Sequence, residues 1–326
     1  MERINRIKGC LYGGAAGDAL GYTIEFISLD MIKSIYGNAG IREYVLSENG
    51  EAVFSDDTQM TLFTCEGLIN SADKYENATE KIYDAYIAWL STQDHNVPHE
   101  KGLADIEKMN RLRAPGGTCL SALSSGKMGT LEEPINDSKG CGGVMRVAPI
   151  GFLDINEEEV LMLGARAAAI THGHPLGYIP SAMLSHIIYG IFNNANLSLK
   201  DIVLNSLSKT ALTFKDNSYI PFFKDLIYRA VDLADSDTKC EEAIFSLGAG
   251  WVAEEALAIA VFCTLRYEND FEGCITAAVN HSGDSDSTGA IAGNILGAYL
   301  GFDSIPQKYI INLEMTDVLD DIAHQL

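Results

Sequence analysis

Apolar residues recur every three or four positions along most of the chain, which is the spacing of helices with a buried face. The opening segment shows this spacing at five positions, which are Ile4, Ile7, Leu11, Ala15 and Ala19. Several glycines lie between them, and their lack of side-chain bulk favours close packing of this first helix against another element. The opening segment is therefore predicted to form a buried, tightly packed helix.

The same periodicity predicts further helices, which cover residues 57–70, 76–91, 157–171, 176–193, 198–213, 218–234, 251–266, 270–280 and 287–300. The alternation of apolar and polar residues that is typical of strands is almost absent. The chain also has no low-complexity linker, no long charge run and no clear internal repeat. We therefore predict an all-α fold, organised as a single compact multi-helix domain over residues 1–326.

Loops rich in Gly, Asn, Asp and Ser separate the predicted helices at residues 34–56, 112–118 and 125–143. Functional residues concentrate on such loops when a rigid scaffold holds them. We expect a site to be built from these three segments.

The composition of the chain indicates a folded protein and excludes some classes of partner. Hydrophobic residues make up 47% of the 326-residue chain, which is typical of a folded protein with a large core. The chain has 45 acidic and 23 basic side chains, a net charge of −22, and this balance argues against nucleic acid as a partner. The acid excess is interpreted either as a solvated surface or as a local cluster that needs a cation.

The seven cysteines are odd in number and scattered, and no two are spaced as Cys-x-x-Cys. They predict reduced thiols rather than a disulfide framework or a zinc knuckle. The first residues lack the apolar core of a signal peptide, and nowhere do 18 apolar residues run together. We expect a cytoplasmic protein without membrane contact.

The first candidate metal segment is Phe54-Ser55-Asp56-Asp57-Thr58, which directly precedes a predicted helix. Its carboxylates and hydroxyls are the oxygen ligands that hard divalent cations prefer. The alternative is helix capping, because Ser and Asp at a helix start accept hydrogen bonds from free backbone N–H groups. The segment alone leaves both interpretations open.

A second such segment runs from His281 to Thr288 and again precedes a helix rich in glycine and alanine. Asp284 and Asp286 are two residues apart, so an extended or loop backbone can turn both carboxylates to one side. The segment is not an EF-hand, because the later ligands of that loop are missing. Together the two segments offer about four carboxylates, enough for two metal ions about 4 Å apart.

Four sequences in this order resemble the ADP-ribosylglycohydrolase family: GDALGYTIEF, SDDT, KGCGGVMRVAPIG and GDSDST. The resemblance extends from residue 9 to about residue 301. It implies an all-helical fold, a pair of Mg²⁺ or Mn²⁺ ions, and hydrolysis of ADP-ribose conjugates. By position, it implies these metal ligands: Ser55, Asp56, Asp57, Asp284, Asp286 and Ser287, with Thr288 as an additional candidate.

The resemblance also assigns proton transfer to a carboxylate, with Glu25, Asp57 and Asp284 as the candidates. Glu25 matches an acidic residue of the family that lies over the site, and the alternative is a solvated loop acid. For Asp18, capping or support of the ligands is the favoured interpretation.

The resemblance, together with the glycine-rich segments, also implies candidate substrate contacts. The glycines of the loop Gly140–Arg146 permit unusual backbone angles and a close approach of N–H groups to a diphosphate, and the alternative is generic turn chemistry. Arg146 is expected to meet a phosphate or to pair with a structural acid, and Trp251 to stack on a substrate ring or to fill core. His172 is interpreted as a ligand contact or as a hydrogen-bonded core histidine. The complete set of candidates is Gly117, Thr118, Cys141, Gly142, Gly143, Met145, His172 and Trp251.

The function hypothesis is a metal-dependent hydrolase that removes ADP-ribose from a modified acceptor. The resemblance favours ADP-ribosylated arginine on protein as the substrate, and serine-linked, free and nucleic-acid-linked ADP-ribose remain open. One alternative is a dinuclear-metal phosphoesterase that acts on a nucleotide, which would use the same ions but release phosphate instead of free ADP-ribose. The other is a non-catalytic protein that binds ADP-ribose, for which we expect a broken metal set.

Overall fold

The computed structural model describes residues 2–72, 75–94, 97, 101–194 and 196–326. Within these residues the chain forms α-helices and short 3-10 turns, with two isolated β-bridges and no sheet, so the all-α prediction is confirmed. The α-helices are α1 (Arg3–Tyr22), α2 (Leu29–Tyr36), α3 (Asp56–Asn70), α4 (Ala78–Gln93), α5 (Gly117–Ser124), α6 (Glu157–Ala169), α7 (Pro175–Asn193), α8 (Leu199–Thr213), α9 (Ile220–Ala234), α10 (Cys240–Leu247), α11 (Ala253–Arg266), α12 (Phe271–Val279), α13 (Ser285–Leu300) and α14 (Thr316–Gln325).

The periodicity located the long helices to within a few residues and missed short ones. Helices α2, α5 and α10 have eight residues each and α14 has ten, so each offers too few turns for a convincing apolar repeat. Helix α2 begins at Leu29, before the loop expected at 34–56, and ends inside that loop at Tyr36. The expected loop at 125–143 contains only a 3-10 turn, at Cys141–Gly143.

Helices α1 and α13 pack against each other along their whole length in antiparallel orientation. Glycines make this approach possible: a Cβ atom added to Gly13 would lie 2.3 Å from the carbonyl oxygen of Gly293, and one added to Gly17 would lie 2.0 Å from that of Gly289. Because the two helices run in opposite directions, the C-terminal end of α1 lies beside the N-terminal end of α13. This packing brings residue 25 close to residues 284–286.

A continuous hydrophobic cluster extends from Ile7 in α1 to Ala323 in α14. Its largest fully buried side chains include Trp89, Tyr86 and Phe63. The single-domain organisation of residues 1–326 stays a prediction. Among the described residues, no helix is both long enough and apolar enough to cross a membrane.

Candidate active site

Five carboxylates from three parts of the chain meet where α1, α3 and α13 come together. Glu25 follows the end of α1, Asp56 and Asp57 are the first residues of α3, and Asp284 and Asp286 belong to the start of α13. All five are at most 8% exposed. Glu25, Asp284 and Asp286 each have a carboxylate oxygen within 4.8 Å of one from each of the other two. Asp56 and Asp57 lie close enough to Asp286 for its charge to raise their pKa values. The structure therefore brings the two predicted acidic segments and Glu25 into one buried cluster, which we call the carboxylate cluster.

Two side chains hold the start of α3 in this cluster through hydrogen bonds to its backbone. Ser55 is the N-cap, and its Oγ accepts a hydrogen bond from the backbone N–H of Asp57 at 3.2 Å. Asp18, fully buried on α1, accepts hydrogen bonds from the N–H of Ser55 at 2.8 Å and from that of Thr58 at 2.9 Å. Asp18 thus caps α3 from a neighbouring helix, as its interpretation as a supporting residue expected. Capping is carried by Ser55 and Asp18, which leaves the carboxylate of Asp57 free of that role.

A buried ion pair fixes the backbone just before α3. The Arg113 guanidinium pairs with the Glu314 carboxylate, and both side chains are 3% exposed. Arg113 also donates a hydrogen bond to the Phe54 carbonyl oxygen at 2.8 Å, while the Phe54 N–H donates to Glu314 at 2.9 Å. Sequence reasoning did not find this pair, because its members lie 201 residues apart and neither belongs to a recognisable motif.

The start of α13 is organised by its own carboxylates. Asp284 is the N-cap, and its Oδ1 accepts a hydrogen bond from the Ser287 N–H at 3.2 Å. Asp286 Oδ1 accepts from the same N–H at 3.0 Å, and Ser285 donates to the Gly21 carbonyl oxygen at 3.0 Å. Thr288 uses its hydroxyl inside the helix, where it donates to the Asp284 carbonyl oxygen at 2.7 Å.

The cluster is electrostatically unfavourable as it stands. Burial and the neighbouring Asp286 raise the pKa of Glu25 to about 9 and hold the pKa values of Asp56 and Asp57 well above their usual range. Burial followed by the same neighbour also raises the pKa of Asp284 well above its usual range. Among the described residues, no lysine or arginine forms an ion pair with any of the five.

Two oxygens of the cluster also lack hydrogen-bond partners among the described residues, although both are buried. They are Oε2 of Glu25 and Oδ2 of Asp57. Buried charge is tolerated when it is paired or when it coordinates a metal, and hard divalent cations take carboxylate and hydroxyl oxygens as ligands. The donor set therefore fits Mg²⁺ or Mn²⁺.

The glycine loop at 140–143 packs against the cluster. Its glycines permit unusual backbone angles, but none of Gly140, Gly142 and Gly143 has a positive φ. Gly142 is required by packing instead, because a Cβ atom there would lie 2.9 Å from Cys119 Sγ and 3.0 Å from the His172 ring. The Cys141 thiol hydrogen-bonds to the Asp284 carboxylate, which lowers the pKa of that carboxylate against the larger effect of burial.

Behind the loop lie two buried side chains that were candidate substrate contacts, His172 and Met145. His172 is 1% exposed, hydrogen-bonds to the Thr171 hydroxyl at 2.8 Å through Nδ1, and burial together with Arg146 lowers its pKa to about 3. Met145 is 2% exposed. His172 is therefore neutral and hydrogen-bonded within the core, while its contact with a ligand stays a prediction.

Arg146 is fully buried and contacts no acid among the described residues, so the expected pairing with a structural acid is wrong, while contact with a phosphate stays a prediction. Its Nη2 donates to the Ala167 carbonyl oxygen at 3.1 Å and to the Thr171 hydroxyl at 2.7 Å. Its guanidinium lies 4.1 Å from the centroid of the Tyr86 ring. A cation can be buried here because carbonyl oxygens and an aromatic face replace its hydration.

The N-terminal end of α5 faces open space. The Gly116 N–H donates to Asp56 Oδ2 at 3.1 Å, which ties the helix start to the cluster. A Cβ atom added to Gly117 would have no atom within 4 Å, and Thr118 is half-buried with its hydroxyl 3.3 Å from that of Ser138. Room for a ligand thus exists beside the predicted contacts Gly117 and Thr118.

Trp251 lies at the surface, so the interpretation as core is wrong. It is 43% exposed and stacks on Phe26, which is 73% exposed, with ring centroids 5.7 Å apart and an interplanar angle of 19°. Phe26 was not singled out from the sequence. Its only signal is its position directly after Glu25, at the end of the GDALGYTIEF segment.

Comparison with known proteins gives consistent matches over nearly the full chain. The family model described as ADP-ribosylglycohydrolase matches residues 1–326. The chain is 24% identical to the ADP-ribosylhydrolase ARH3 of Danio rerio, with 99% of this chain and 90% of that protein covered. It is 23% identical to the ADP-ribosyl-(dinitrogen reductase) glycohydrolase of Rhodospirillum rubrum, with 95% of this chain and 91% of that protein covered.

A solved structure described as an ADP-ribosylglycohydrolase-related protein complex shares the fold. Its TM-score is 0.71 at 23% sequence identity, and the match covers 99% of this chain and 97% of that chain.

Proposed function

Since the chain belongs to the ADP-ribosylglycohydrolase family, we propose that it removes ADP-ribose from a modified protein in a reaction that depends on divalent cations. The observation that carries this proposal is the carboxylate cluster. Its five buried acids have no cationic partner among the described residues, and two of their oxygens accept no hydrogen bond. Such a cluster is costly to a protein that binds no cation.

We assign the metal ligands to both acidic segments. Ser55, Asp56 and Asp57 would hold cations from the α3 side, and Asp284, Asp286 and Ser287 from the α13 side. Two bound Mg²⁺ or Mn²⁺ ions would supply a template that orients ribose hydroxyls and Lewis acidity that lowers the pKa of a water molecule. The unbroken set of ligand-type residues disfavours the non-catalytic alternative.

Proton transfer is assigned to Glu25. Cleavage of a glycosidic bond needs an acid at the leaving group and a base at the attacking water. Glu25 lies within 4.8 Å of Asp284 and Asp286, and its Oε2 has no hydrogen-bond partner among the described residues. Asp57 and Asp284 remain the alternative proton carriers, and Asp57 Oδ2 is likewise free.

The diphosphate is assigned to the two glycine segments beside the cluster. The open space next to Gly117 at the start of α5 supports this side, because free N–H groups at a helix start attract anions. On the other side, Cys141 and Gly142 form the edge of the glycine loop, which Gly143 and the buried Met145 and His172 hold in place. Trp251 lies at the surface, where it can contact substrate directly.

The test is product analysis after incubation of an arginine-ADP-ribosylated protein with the enzyme and Mg²⁺ or Mn²⁺. We expect free ADP-ribose and the unmodified protein. Release of AMP, with phosphoribose left on the protein, would contradict the proposal and support a phosphoesterase. Tight binding of ADP-ribose with no turnover on arginine-linked or serine-linked protein would contradict it in favour of a binding role. A cytoplasmic location stays a prediction.

A further inference from the structure

At the protein surface beside the carboxylate cluster, the Phe26 and Trp251 rings contact each other. Phe26 directly follows Glu25. Trp251 directly follows Gly250, where an added Cβ atom would lie 3.3 Å from the Asp284 side chain. Each ring is therefore attached to backbone that borders a different acid of the cluster, and the two rings touch each other outside it. We call this contact the aromatic pair.

The aromatic pair is not explained by the needs of the hydrophobic core. Phe26 is 73% exposed, which makes it one of the most exposed large apolar side chains among the described residues. Trp251, at 43%, also keeps much of its surface in water, although the backbone beside it is well fixed: the Cys141 N–H donates to the Trp251 carbonyl oxygen at 3.2 Å. Two aromatic side chains left in solvent beside a buried polar site are typical of a surface that binds ligand.

Electrostatics distinguishes between the ligands that could stack on the aromatic pair. Aromatic faces carry negative electrostatic potential, which favours a cation. A guanidinium is a planar, weakly hydrated cation that stacks on such faces. A neutral nucleobase would stack as well, but it would lack the electrostatic attraction between a cation and the rings. A serine side chain offers neither a face nor a charge.

We propose that Phe26 and Trp251 form an acceptor subsite that holds the guanidinium group of ADP-ribosylated arginine beside the carboxylate cluster. This inference rests on the proposed function and deepens it, since it makes the aromatic pair the feature that selects arginine over hydroxyl-linked acceptors. The two residues act as specificity-determining contacts, while bond cleavage remains the task of the cluster.

The kinetic test compares two linkages in three variants. Phe26→Leu and Trp251→Leu remove the rings, and Phe222→Leu is the matched control, because Phe222 is 53% exposed on α9. We expect each ring removal to lower kcat/KM for ADP-ribosyl-arginine peptides about tenfold, mainly through KM, in line with the strength of cation–π contacts. We expect activity on ADP-ribosyl-serine peptides to change less than about twofold and the control to match the wild type on both.

Two kinetic results would overturn the inference while leaving the proposed function intact. An equal loss on both linkages would assign the aromatic pair to a part common to both substrates, such as the adenine. No loss on arginine would show that the rings do not contact the acceptor.

A fluorescence measurement decides the matter without turnover. The chain has two tryptophans, and Trp89 is fully buried, so acrylamide quenching reports mainly on Trp251. With ADP-ribose present, ethylguanidinium is expected to protect Trp251 from quenching, whereas ethylammonium is not. The effect should disappear in Trp251→Leu. Equal effects of both cations, or none, would overturn the inference even if no ADP-ribose release were ever observed.

Discussion

Asp18 on α1 accepts hydrogen bonds from both the backbone N–H and the hydroxyl of Thr58 at the start of α3. A third bond comes from the Ser55 N–H. The Asp18 carboxylate thus accepts the hydrogen bonds that the free N–H groups of an isolated helix start would donate to water. It also fixes the position of Asp56 and Asp57 relative to α1. Burial raises the pKa of Asp18 to about 7, with Asp286 adding to the effect.

Asp18→Asn tests this cap with little change in shape. The amide retains one acceptor oxygen but presents N–H groups to donors, so we expect a loss of about 1–3 kcal/mol in the free energy of unfolding. Urea unfolding measures it. Asp216→Asn, at an exposed position, is the control and should have no measurable effect. Equal stability of the two variants would show that the cap is not needed.

The close packing of α1 on α13 predicts that alanine substitutions at different glycines have different effects on stability. Gly17→Ala places a Cβ atom 2.0 Å from the Gly289 carbonyl oxygen, so the helices must move apart, at a cost of about 1–3 kcal/mol or more. Gly117→Ala meets open space and should leave the melting temperature unchanged while weakening ADP-ribose binding. Thermal denaturation and calorimetry measure the two effects. A tolerated Gly17→Ala would contradict the importance of this contact.

The Arg113–Glu314 pair predicts that a distant substitution weakens metal binding. Glu314→Gln leaves the buried guanidinium without its counter-charge, and breaking a buried pair in this way costs about 3–5 kcal/mol. Since the pair holds the backbone before Asp56, we also expect weaker Mn²⁺ binding by calorimetry. Asp235→Asn breaks the exposed pair with Lys200 and should cost less than about 1 kcal/mol. Unchanged Mn²⁺ affinity in Glu314→Gln would show that the Arg113–Glu314 pair does not contribute to metal binding.

The metal-free protein is expected to lose stability as the pH rises. The pKa values of Glu25, Asp56, Asp57 and Asp284 are raised in the folded state by burial and mutual repulsion, so the folded protein binds more protons than the unfolded chain above pH about 4. Stability is therefore highest near pH 4 with respect to these groups and falls as the pH rises toward 9. Melting temperatures with chelator should show this decline.

Divalent cations should reverse that decline, because bound cations favour the ionised carboxylates. The increase in melting temperature on addition of Mn²⁺ should thus be larger at pH 8 than at pH 5. A pH-independent increase would indicate that the cations bind elsewhere.

The long helices and the two acidic segments were predictable from the sequence, because periodicity and residue type are local properties. Which atoms meet in space was not. The pairing of Gly17 with Gly289 joins the ends of the chain, and nothing local signals it. Among the described residues Arg146 pairs with no acid and lies on the Tyr86 ring, and sequence alone does not show which arginine the fold buries.

The exposed stack of Phe26 and Trp251 was missed for the related reason that an aromatic residue in a loop fits core and surface equally well. The identities of the metal ligands and of the proton carrier are still predictions, supported by the meeting of Glu25 with Asp284 and Asp286.

The most direct test of the central claim measures ADP-ribose release from an arginine-ADP-ribosylated protein in four conditions: Mg²⁺, Mn²⁺, chelator, and either metal with the Asp284→Asn/Asp286→Asn double variant. Asp216→Asn is the matched control, because it removes one exposed charge far from any assigned ligand in sequence. We predict release with at least one metal by the wild type and the control, and loss of release with chelator and in the double variant. Full release with chelator, or by the double variant at wild-type rate, would contradict the account.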